Sequence, residues 1–325
     1  MAVLGIESSA HTFGVGIVEN GRVLSNEKEM YRIGRSGMIP NEVAEFHAEN
    51  AGSVISRAVS KAGISRKDIT GIGYTRGPGL GPCLQVGQLS AKILAKKLGV
   101  PIAPVNHGIG HVEAARIFSG LKRPVVLYVS GGNSQILKLS EEPFRHYKVL
   151  GETFDIGVGN MLDTFARAIG LDPAWGSTVD KYAKKGKYIE LPYNVKGMDF
   201  SFTGLVTKAS GLASRHSKED LCFSIEETAF AMLCETTERA LLLTEAKELC
   251  VCGGVAQSAR LKEMLGIMAD EHGVRFGFCD NQFNADNGAM IALVAERMLK
   301  GNCSARIGEC DIEQRYRVDS AEVFL

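Results

Sequence analysis

The 325-residue sequence lacks an excess of charge of either sign, because 37 lysines and arginines balance 37 aspartates and glutamates. An overall electrostatic field therefore cannot attract a polyanion, and a nucleic acid would have to be met by a local basic patch. The sequence also lacks a basic and apolar leader at its start and any uncharged apolar run of about 18 residues. We therefore expect a cytoplasmic protein with no membrane association.

Paired cysteine motifs are missing as well. The eight cysteines are scattered through the chain without a Cys-x-x-Cys pair, and a chain of this length does not need disulfides for stability. Cys250 and Cys252 alternate in an apolar run. We interpret them as buried free thiols on one face of a strand, in preference to metal ligands.

Two common nucleotide-binding motifs are absent. No GxxxxGK[ST] occurs, and no GxGxxG follows the first apolar segment, which disfavours the P-loop and Rossmann classes. Glycine, in contrast, is abundant: the 37 glycines make about 11% of the chain, against a usual ~7%. This excess indicates tight turns and loops where backbone approaches a ligand closely.

The predicted elements repeat along the chain. Each half begins with a meander of short strands and continues with helices alternating with strands. The first half comprises strands 2–7, 13–18, 22–30, 70–75 and 101–104 and helices 40–62 and 85–98. The second comprises strands 124–129, 134–139, 145–150, 249–254 and 274–279, helices 158–169, 218–246, 257–271 and 286–299, and an irregular stretch at 171–216. We predict an α/β protein with two similar lobes facing a cleft.

Three turns of small residues follow apolar strands: Glu7-Ser8-Ser9, the segment 130–134 (SGGNS) and the segment 253–256 (GGVA). Such turns can present unpaired backbone N–H groups to a phosphate or a carboxylate. A single turn of this kind is more often only structural. With three such turns at corresponding points of two lobes, nucleotide binding becomes as good an interpretation as a purely structural role.

The sharpest motif is Asn106-His107-Gly-Ile-Gly-His111. Histidines four residues apart share one face of a helix, so both imidazoles can reach one metal ion. The alternative is that one histidine caps the helix or packs in the core. A zincin protease needs a glutamate directly after the first histidine. Gly108 stands there, which disfavours a metallopeptidase.

A pair of histidines needs further ligands, and two residues are candidates. Asp286 stands at a predicted helix start, where it could instead be a simple N-cap. Tyr128 ends an apolar strand, where it could instead be a packed aromatic. Spacing alone selects neither.

Seven segments of the sequence together resemble one family. They are GIESSAHT, NHGIGHVEAA, LYVSGGNSQI, GETFDIGVGNMLDTFAR, VKGMDFSFTGL, CGGVAQSARL and ADNGAMIA, and they occur in that order. The chain is similar from Val3 to about Tyr316 to the universal tRNA threonylcarbamoyladenosine synthases. These are the bacterial TsaD proteins and the catalytic subunits of the archaeal and eukaryotic KEOPS complex, and the chain looks more like the archaeal and eukaryotic branch.

The resemblance implies an ASKHA fold (acetate and sugar kinases, Hsp70 and actin), in which two ribonuclease-H-like lobes surround a nucleotide cleft. We place the lobes at 1–105 and 106–325, with 171–216 inserted in the second. It also implies transfer of a threonylcarbamoyl group from threonylcarbamoyl-adenylate to the N6 amine of the adenosine 3′ of the anticodon, A37, in ANN-decoding tRNAs, with release of AMP.

The resemblance carries over to particular residues. The metal ligands correspond to His107, His111, Tyr128 and Asp286, a donor set that suits one iron or zinc ion better than magnesium or calcium. The nucleotide contacts correspond to Tyr128, Val129, Ser130, Gly131, Gly132, Asp163, Gly176, Asp180 and Ser258. The chain departs from the family pattern at Ala174-Trp175-Gly176-Ser177, at Asp180, where glutamate is common, and at Gln257-Ser258, where Asn-Asn is frequent.

No residue is assigned as a general base, and Glu7 and His11 beside the first turn are the candidates. Two other functions remain open: a small-molecule kinase of the same fold, which the paired histidines disfavour, and a non-catalytic nucleotide-binding scaffold.

The resemblance also implies partners. They are the tRNA substrate and the KEOPS subunits: a kinase-like ATPase, a small dimerising subunit and an accessory subunit. The run Lys181, Lys184, Lys185 and Lys187, with Tyr182 and Tyr188 between them, is the best candidate for an RNA-facing edge. Solvated lysines on a helix are an equally good interpretation.

Overall fold

The structure is a computed structural model that describes residues 1–32 and 38–324. Contacts divide the chain into two compact units. The first contains residues 1–114, 141–147 and 285–325, and the second contains residues 115–140 and 148–284.

Twelve strands and ten α-helices occur in the described residues. The strands are β1 (Ala2–Glu7), β2 (Thr12–Glu19), β3 (Arg22–Met30), β4 (Ile69–Gly77), β5 (Ile102–Asn106), β6 (Val125–Val129), β7 (Ser134–Ser140), β8 (His146–Glu152), β9 (Val195–Lys196), β10 (Asp199–Phe200), β11 (Glu248–Cys252) and β12 (Arg275–Phe278). The helices are α1 (Pro40–Ala62), α2 (Gly81–Leu98), α3 (His107–Phe118), α4 (Val158–Ala168), α5 (Gly176–Ala183), α6 (Thr203–Gly211), α7 (Lys218–Thr244), α8 (Ala259–Glu271), α9 (Asn281–Asn284) and α10 (Gly288–Lys300).

The two five-stranded sheets have the same topology. The first has the order β3-β2-β1-β4-β5, and the second, taken from its other edge, has the order β8-β7-β6-β11-β12. In each sheet the opening strand is antiparallel to the next strand of its meander and parallel to a later strand. The predicted α/β class and the repeated pattern are confirmed.

Because successive side chains of a strand point to opposite sides, the two faces of the first sheet differ. Leu4 and Ile6 of β1 belong to the apolar core formed with α1 and α2. On the opposite face α10 lies so close that a Cβ built on Gly16 would come within 2.2 Å of the backbone nitrogen of Ala289. Gly5 of β1 is equally tight against Ala292. Part of the glycine excess therefore serves helix-on-sheet packing, and the interpretation of this excess as loop glycines is incomplete.

The packing of α10 also bears on the predicted lobe boundaries. The sequence pattern assigns all of 106–325 to one lobe, whereas contacts group residues 285–325 with the N-terminal unit. The physical reason is that α10 covers the glycine face of β1 and β2.

The second unit has its own core. Val125, Leu127 and Val129 of β6 are buried with residues of α4, α7 and α8, among them Phe165 and Phe230. The long helix α7 begins at Ser217, whose side chain accepts a hydrogen bond from the Asp220 N–H at 3.1 Å, as the predicted N-cap requires.

The prediction of an irregular stretch at 171–216 is wrong in part, because α5 and α6 lie within it. Both helices are short and contain residues of low helix propensity such as Gly, Ser and Thr, so their sequences carry a weak helical signal. They bury Val179, Ala183, Leu205 and Ala209 in the core of the second unit, and this packing stabilises them.

Two further expectations can be compared with the described residues. None of their helices is both long and apolar enough to cross a bilayer. Cys250 and Cys252 lie on β11 as buried free thiols, as predicted.

Candidate metal site and nucleotide cavity

The histidine pair lies at the start of α3, directly after β5. Asn106 caps this helix, since its Oδ1 accepts the Ile109 N–H at 3.1 Å. His107 and His111 are one turn apart, with ring centroids 4.7 Å apart, and both are buried. The predicted shared helix face is therefore present.

Asp286 joins this pair within the first unit. Its Oδ1 lies 3.2 Å from His111 Nε2 and 3.6 Å from His107 Nε2. One ligand atom from each of the three residues lies within 4.8 Å of the other two. Asn287, rather than Asp286, caps α10, because Asn287 Oδ1 accepts the Met290 N–H at 3.0 Å. The alternative interpretation of Asp286 as a plain N-cap is thus wrong, and its carboxylate faces the histidines.

Glu7 lies behind His107, on the side away from Asp286. The Glu7 carboxylate is fully buried and accepts hydrogen bonds from the Ser9 N–H at 2.6 Å and the Thr75 hydroxyl at 2.7 Å. His107 Nδ1 lies 3.0 Å from Glu7 Oε2. A carboxylate at Nδ1 fixes a ring proton there, so Nε2 is the nitrogen that faces Asp286 and that a cation could bind once its own proton is lost.

Burial and the nearby opposite charges shift the pKa values of these residues in opposite directions. Burial by itself lowers the pKa of His107, but the adjacent Glu7 carboxylate outweighs it and raises this pKa to about 9. Burial lowers the pKa of His111. Burial alone would raise the pKa of Asp286, yet the hydrogen bond from His111 and the charge of His107 hold that pKa well below its usual range. The carboxylates of Glu7 and Asp286 thus lie on either side of the buried, positively charged imidazole of His107.

A divalent cation fits this arrangement. Two imidazoles and one carboxylate are donors that iron and zinc accept. A cation would supply the positive charge that His107 carries in the cluster, and its binding would release that proton.

The other two residues proposed for this region have different positions. His11 is partly exposed, and its charge contributes to the lowered pKa of Asp286. Tyr128 is the last residue but one of β6, in the second unit, and is only 1% exposed. Its part in the ligand set stays a prediction.

The second unit contains a cavity of about 350 Å³. Five of the predicted nucleotide residues line it: Gly131, Asp163, Gly176, Asp180 and Ser258. The remaining four, Tyr128, Val129, Ser130 and Gly132, belong to the strand end and turn beside Gly131 and are not among the lining residues.

The turn after β6 is held closed by its own residues. The Ser130 N–H donates to the Asn133 carbonyl at 2.8 Å, and the Asn133 N–H donates to the Ser130 hydroxyl at 3.0 Å. The start of α4 lies against this turn, where a Cβ on Gly157 would come within 2.5 Å of the Gly131 carbonyl oxygen. The glycines of the DIGVG segment thus have a packing role beside the cavity.

Two of the acidic residues that line the cavity, Asp163 and Asp180, have polar partners nearby. The Gly176 N–H donates to Asp163 Oδ1 at 2.7 Å. Asp180 pairs with Lys184 at 3.3 Å and lies 3.5 Å from the Ser258 hydroxyl. The predicted contacts Asp163, Gly176, Asp180 and Ser258 are therefore neighbours in space.

Sequence reasoning missed several lining residues: Gly159, Leu162, Ser177, Glu226, Phe230, Gly254, Val255 and Gln257. Gly254 and Val255 lie in the turn 253–256, so that motif could have identified them. Glu226 and Phe230 carry no local motif. Their spacing of four residues on α7 puts them on one face, but only the packing shows that this face meets a cavity.

The basic run is exposed at its lysines. Lys181, Lys184, Lys185 and Lys187 are all exposed, and Lys184 pairs with Asp180. The described contacts do not test whether the run meets RNA.

Comparisons with known proteins show what the chain resembles as a whole. The family model "TsaD: tRNA N6-adenosine threonylcarbamoyltransferase" matches residues 20–293. The chain is 45% identical over 326 residues to the tRNA N6-adenosine threonylcarbamoyltransferase of Thermococcus kodakarensis, with 99% of each chain covered. It is 43% identical to that of Danio rerio, covering 99% of this chain and 98% of the relative.

Two further matches involve longer proteins. A probable bifunctional tRNA threonylcarbamoyladenosine biosynthesis protein of Methanobrevibacter smithii is 46% identical over 98% of this chain, which spans 59% of that protein. The crystal structure of HypF from T. kodakarensis matches with a TM-score of 0.62 at 17% identity, over 92% of this chain and 48% of that one. The likeness to HypF concerns the fold alone, and it agrees with the predicted ASKHA architecture. Taken with the family match and the full-length relatives, these findings establish that the chain belongs to the TsaD family of tRNA N6-adenosine threonylcarbamoyltransferases.

Proposed function

We propose that the chain transfers the threonylcarbamoyl group of threonylcarbamoyl-adenylate to the N6 amine of A37 in ANN-decoding tRNAs and releases AMP. The observation that carries the proposal is the cluster of two buried imidazoles, His107 and His111, with the partly exposed carboxylate of Asp286, in a chain that belongs to this transferase family. A small-molecule kinase that uses Mg-ATP would need oxygen ligands, and it has no use for paired imidazoles.

The cluster would hold one divalent metal ion, iron or zinc, through His107, His111 and Asp286, with Tyr128 as the further ligand that the family resemblance implies. When bound, the ion supplies Lewis acidity to an oxygen of the threonylcarbamoyl group. The protein's own part is to hold both imidazoles in place, with Nε2 of His107 and of His111 towards Asp286. Glu7 does this for His107 by holding the proton on Nδ1, and we assign Glu7 a positioning role rather than that of a general base.

The cavity of the second unit would hold the adenylate portion. The backbone N–H groups of Gly131 and Gly132 are suited to the phosphate, because a turn of small residues lets an anion approach the backbone. Asp163 would meet the ribose hydroxyls. Gly176, Asp180 and Ser258 would border the adenosine, with Ser130 and Val129 supporting the turn.

The reaction makes modest demands on the enzyme. The N6 nitrogen of A37 attacks the carbamoyl carbon, the bond from this carbon to the phosphate oxygen breaks, and the amine loses a proton. AMP is a good leaving group in a mixed anhydride, so positioning of the amine is a main contribution, worth about 7 kcal/mol or more in well-oriented reactions. Neither Glu7 nor His11 is required as a strong base.

The zero net charge of the chain indicates that it needs basic partner subunits to bind tRNA. With no net charge, the chain alone would bind tRNA weakly, and basic KEOPS-type subunits would supply much of the affinity. The exposed lysines from Lys181 to Lys187 are the proposed contribution of this chain.

A reconstituted reaction tests the proposal. The chain and its partner subunits are incubated with unmodified tRNA, threonine, bicarbonate, ATP and the enzyme that makes the adenylate, and the nucleosides are analysed by mass spectrometry. Threonylcarbamoyladenosine is expected with the wild-type chain and is expected to be lost with His111→Ala. A phosphorylated small molecule with unmodified tRNA would point to the kinase alternative instead.

A further inference from the structure

Asn106, directly before His107, has a buried side chain that forms hydrogen bonds in two directions. Its Oδ1 accepts the Ile109 N–H at 3.1 Å and so caps α3. Its Nδ2 donates to the carbonyl oxygens of Tyr316 at 3.0 Å and Arg317 at 3.2 Å. Each end of the amide faces groups of the opposite type, which fixes its orientation. This one side chain, 3% exposed, therefore ties the start of α3 to the C-terminal segment.

Residues 311–317, which we call the C-terminal strap, run along the end of β4 and the loop that follows it. The Glu313 N–H donates to the Arg76 carbonyl at 2.8 Å, and the Gly79 N–H donates to the Gln314 carbonyl at 3.2 Å. The strap is thus attached to the body of the first unit through its backbone. It gives the amide of Asn106 a firm anchor.

The same loop also leads to the histidine cluster. The Leu80 N–H donates to the Ser9 carbonyl at 2.8 Å, and the Ser9 hydroxyl lies 3.2 Å from His107 Nδ1. The chain segment that contains the strap begins near Asp286 and belongs to the first unit. This segment supplies one proposed metal ligand at its start, and through Asn106 it holds the helix that carries the other two.

The attachment of Asn106 matters because the ligands follow it so closely. His107 is the next residue and His111 lies one helical turn further, so a shift at the start of α3 moves both imidazoles together. Their Nε2 atoms lie 3.6 and 3.2 Å from Asp286 Oδ1. Metal affinity falls when the groups that hold the ligands in such positions are removed.

We propose that Asn106 is a positioning residue of the metal site: it holds the start of α3 against the C-terminal strap and so sets the affinity and the geometry of the site. The assignment rests on the proposed function, because the ion concerned is the one proposed for His107, His111 and Asp286. It makes the C-terminal strap a support of the metal site, although none of the proposed ligands lies in it.

Three substitutions separate positioning from general stability. Asn106→Ser keeps a residue that caps helices as well as asparagine does, but its shorter side chain gives up the amide donors that reach the strap. Asn106→Ala removes the cap as well. Gln88→Ala is the matched control. Gln88 Nε2 donates to the Cys310 carbonyl at 2.9 Å, so this variant also loses a side-chain bond to the C-terminal segment, but on α2 rather than at α3.

The experiment titrates the whole chain, freed of metal by a chelator, with Co²⁺, whose visible absorption spectrum depends on the number and geometry of its ligands. The free energy of unfolding of each variant is measured in urea. Asn106→Ser and Asn106→Ala should bind Co²⁺ at least about tenfold more weakly than the wild type, with an altered spectrum. Gln88→Ala should keep the wild-type affinity and spectrum, although it also lowers the free energy of unfolding.

Two results would overturn the assignment. They are a wild-type affinity and spectrum in Asn106→Ser, and a loss of affinity in Gln88→Ala as large as in Asn106→Ser. Should Asn106→Ala fail to fold, Asn106→Ser still decides, because it keeps the cap.

The reconstituted transfer reaction of the wild type is run in parallel. An active wild type that binds Co²⁺ no better than Asn106→Ser refutes the positioning role alone, whereas an inactive wild type refutes the proposed function. An active wild type without affinity for Co²⁺ refutes the metal site and this assignment with it.

Discussion

The buried Glu226 predicts a specific dependence of stability on pH. Its pKa is raised from an ordinary 4.5 to about 8 in the folded chain, first by burial and then by the charges of Asp180 and Glu227. Between these values the unfolded chain has lost the proton while the folded chain keeps it. The folded state therefore binds more protons, and the stability contributed by this group is present below pH 4.5 and is lost as the pH rises towards 8.

The magnitude follows from the two pKa values. At about 1.4 kcal/mol for each pH unit between them, the full effect is about 5 kcal/mol, of which about 3 kcal/mol falls between pH 5 and pH 8. Glu226→Gln removes the titration and leaves the shape of the side chain, so the other titrating groups cancel when the two proteins are compared.

Urea unfolding of the wild type and Glu226→Gln, without nucleotide, measures this difference. The free energy of unfolding of the wild type minus that of Glu226→Gln should fall by about 3 kcal/mol from pH 5 to pH 8. Two pH profiles that run parallel within about 0.5 kcal/mol would refute the neutral buried acid.

Three further predictions concern other parts of the chain. His111→Ala should lower the iron or zinc content measured by mass spectrometry and the affinity for the metal by at least about tenfold, with the circular dichroism spectrum unchanged; full metal content would contradict the proposed ligand set. Gly16→Ala should destabilise the fold by about 3 kcal/mol or more in thermal unfolding, because the new methyl group meets the backbone of α10, whereas Gly21→Ala in the open hairpin turn should cost less. Despite the desolvation caused by partial burial, Asp155 keeps a pKa of about 2, because the N–H groups of Thr203 and Phe202 donate to its carboxylate. Since the side chain is largely open to solvent, Asp155→Asn should cost about 1 kcal/mol at pH 7. This difference should vanish below pH 2.

The sequence was most informative where local chemistry fixes local structure. Pro40 and Gly63 gave both ends of α1, and the spacing of His107 and His111 gave their shared face. Asp286 was ambiguous because an aspartate before a helix is usually its cap. The packing of α10 on β1 and β2, together with the cap at Asn287, brings Asp286 to the histidines, and neither is visible in local sequence.

Other features depend on contacts between distant residues. The helices α5 and α6 have weak local signals and gain their stability from burial against the second core. Glycines in β1 and β2 resemble loop glycines until α10 is placed over them. Glu226 looks like any acidic residue of a long helix, and only its burial beside the cavity distinguishes it.

Direct transfer from a labelled donor tests the central claim most directly. Threonylcarbamoyl-adenylate carrying labelled threonine is supplied with the chain, its partner subunits and either tRNA with A37 or the same tRNA with guanosine at position 37. The account predicts labelled threonylcarbamoyladenosine at position 37 of the first tRNA, with one AMP released for each label transferred, and no label on the second. Release of AMP without label on the first tRNA would contradict it.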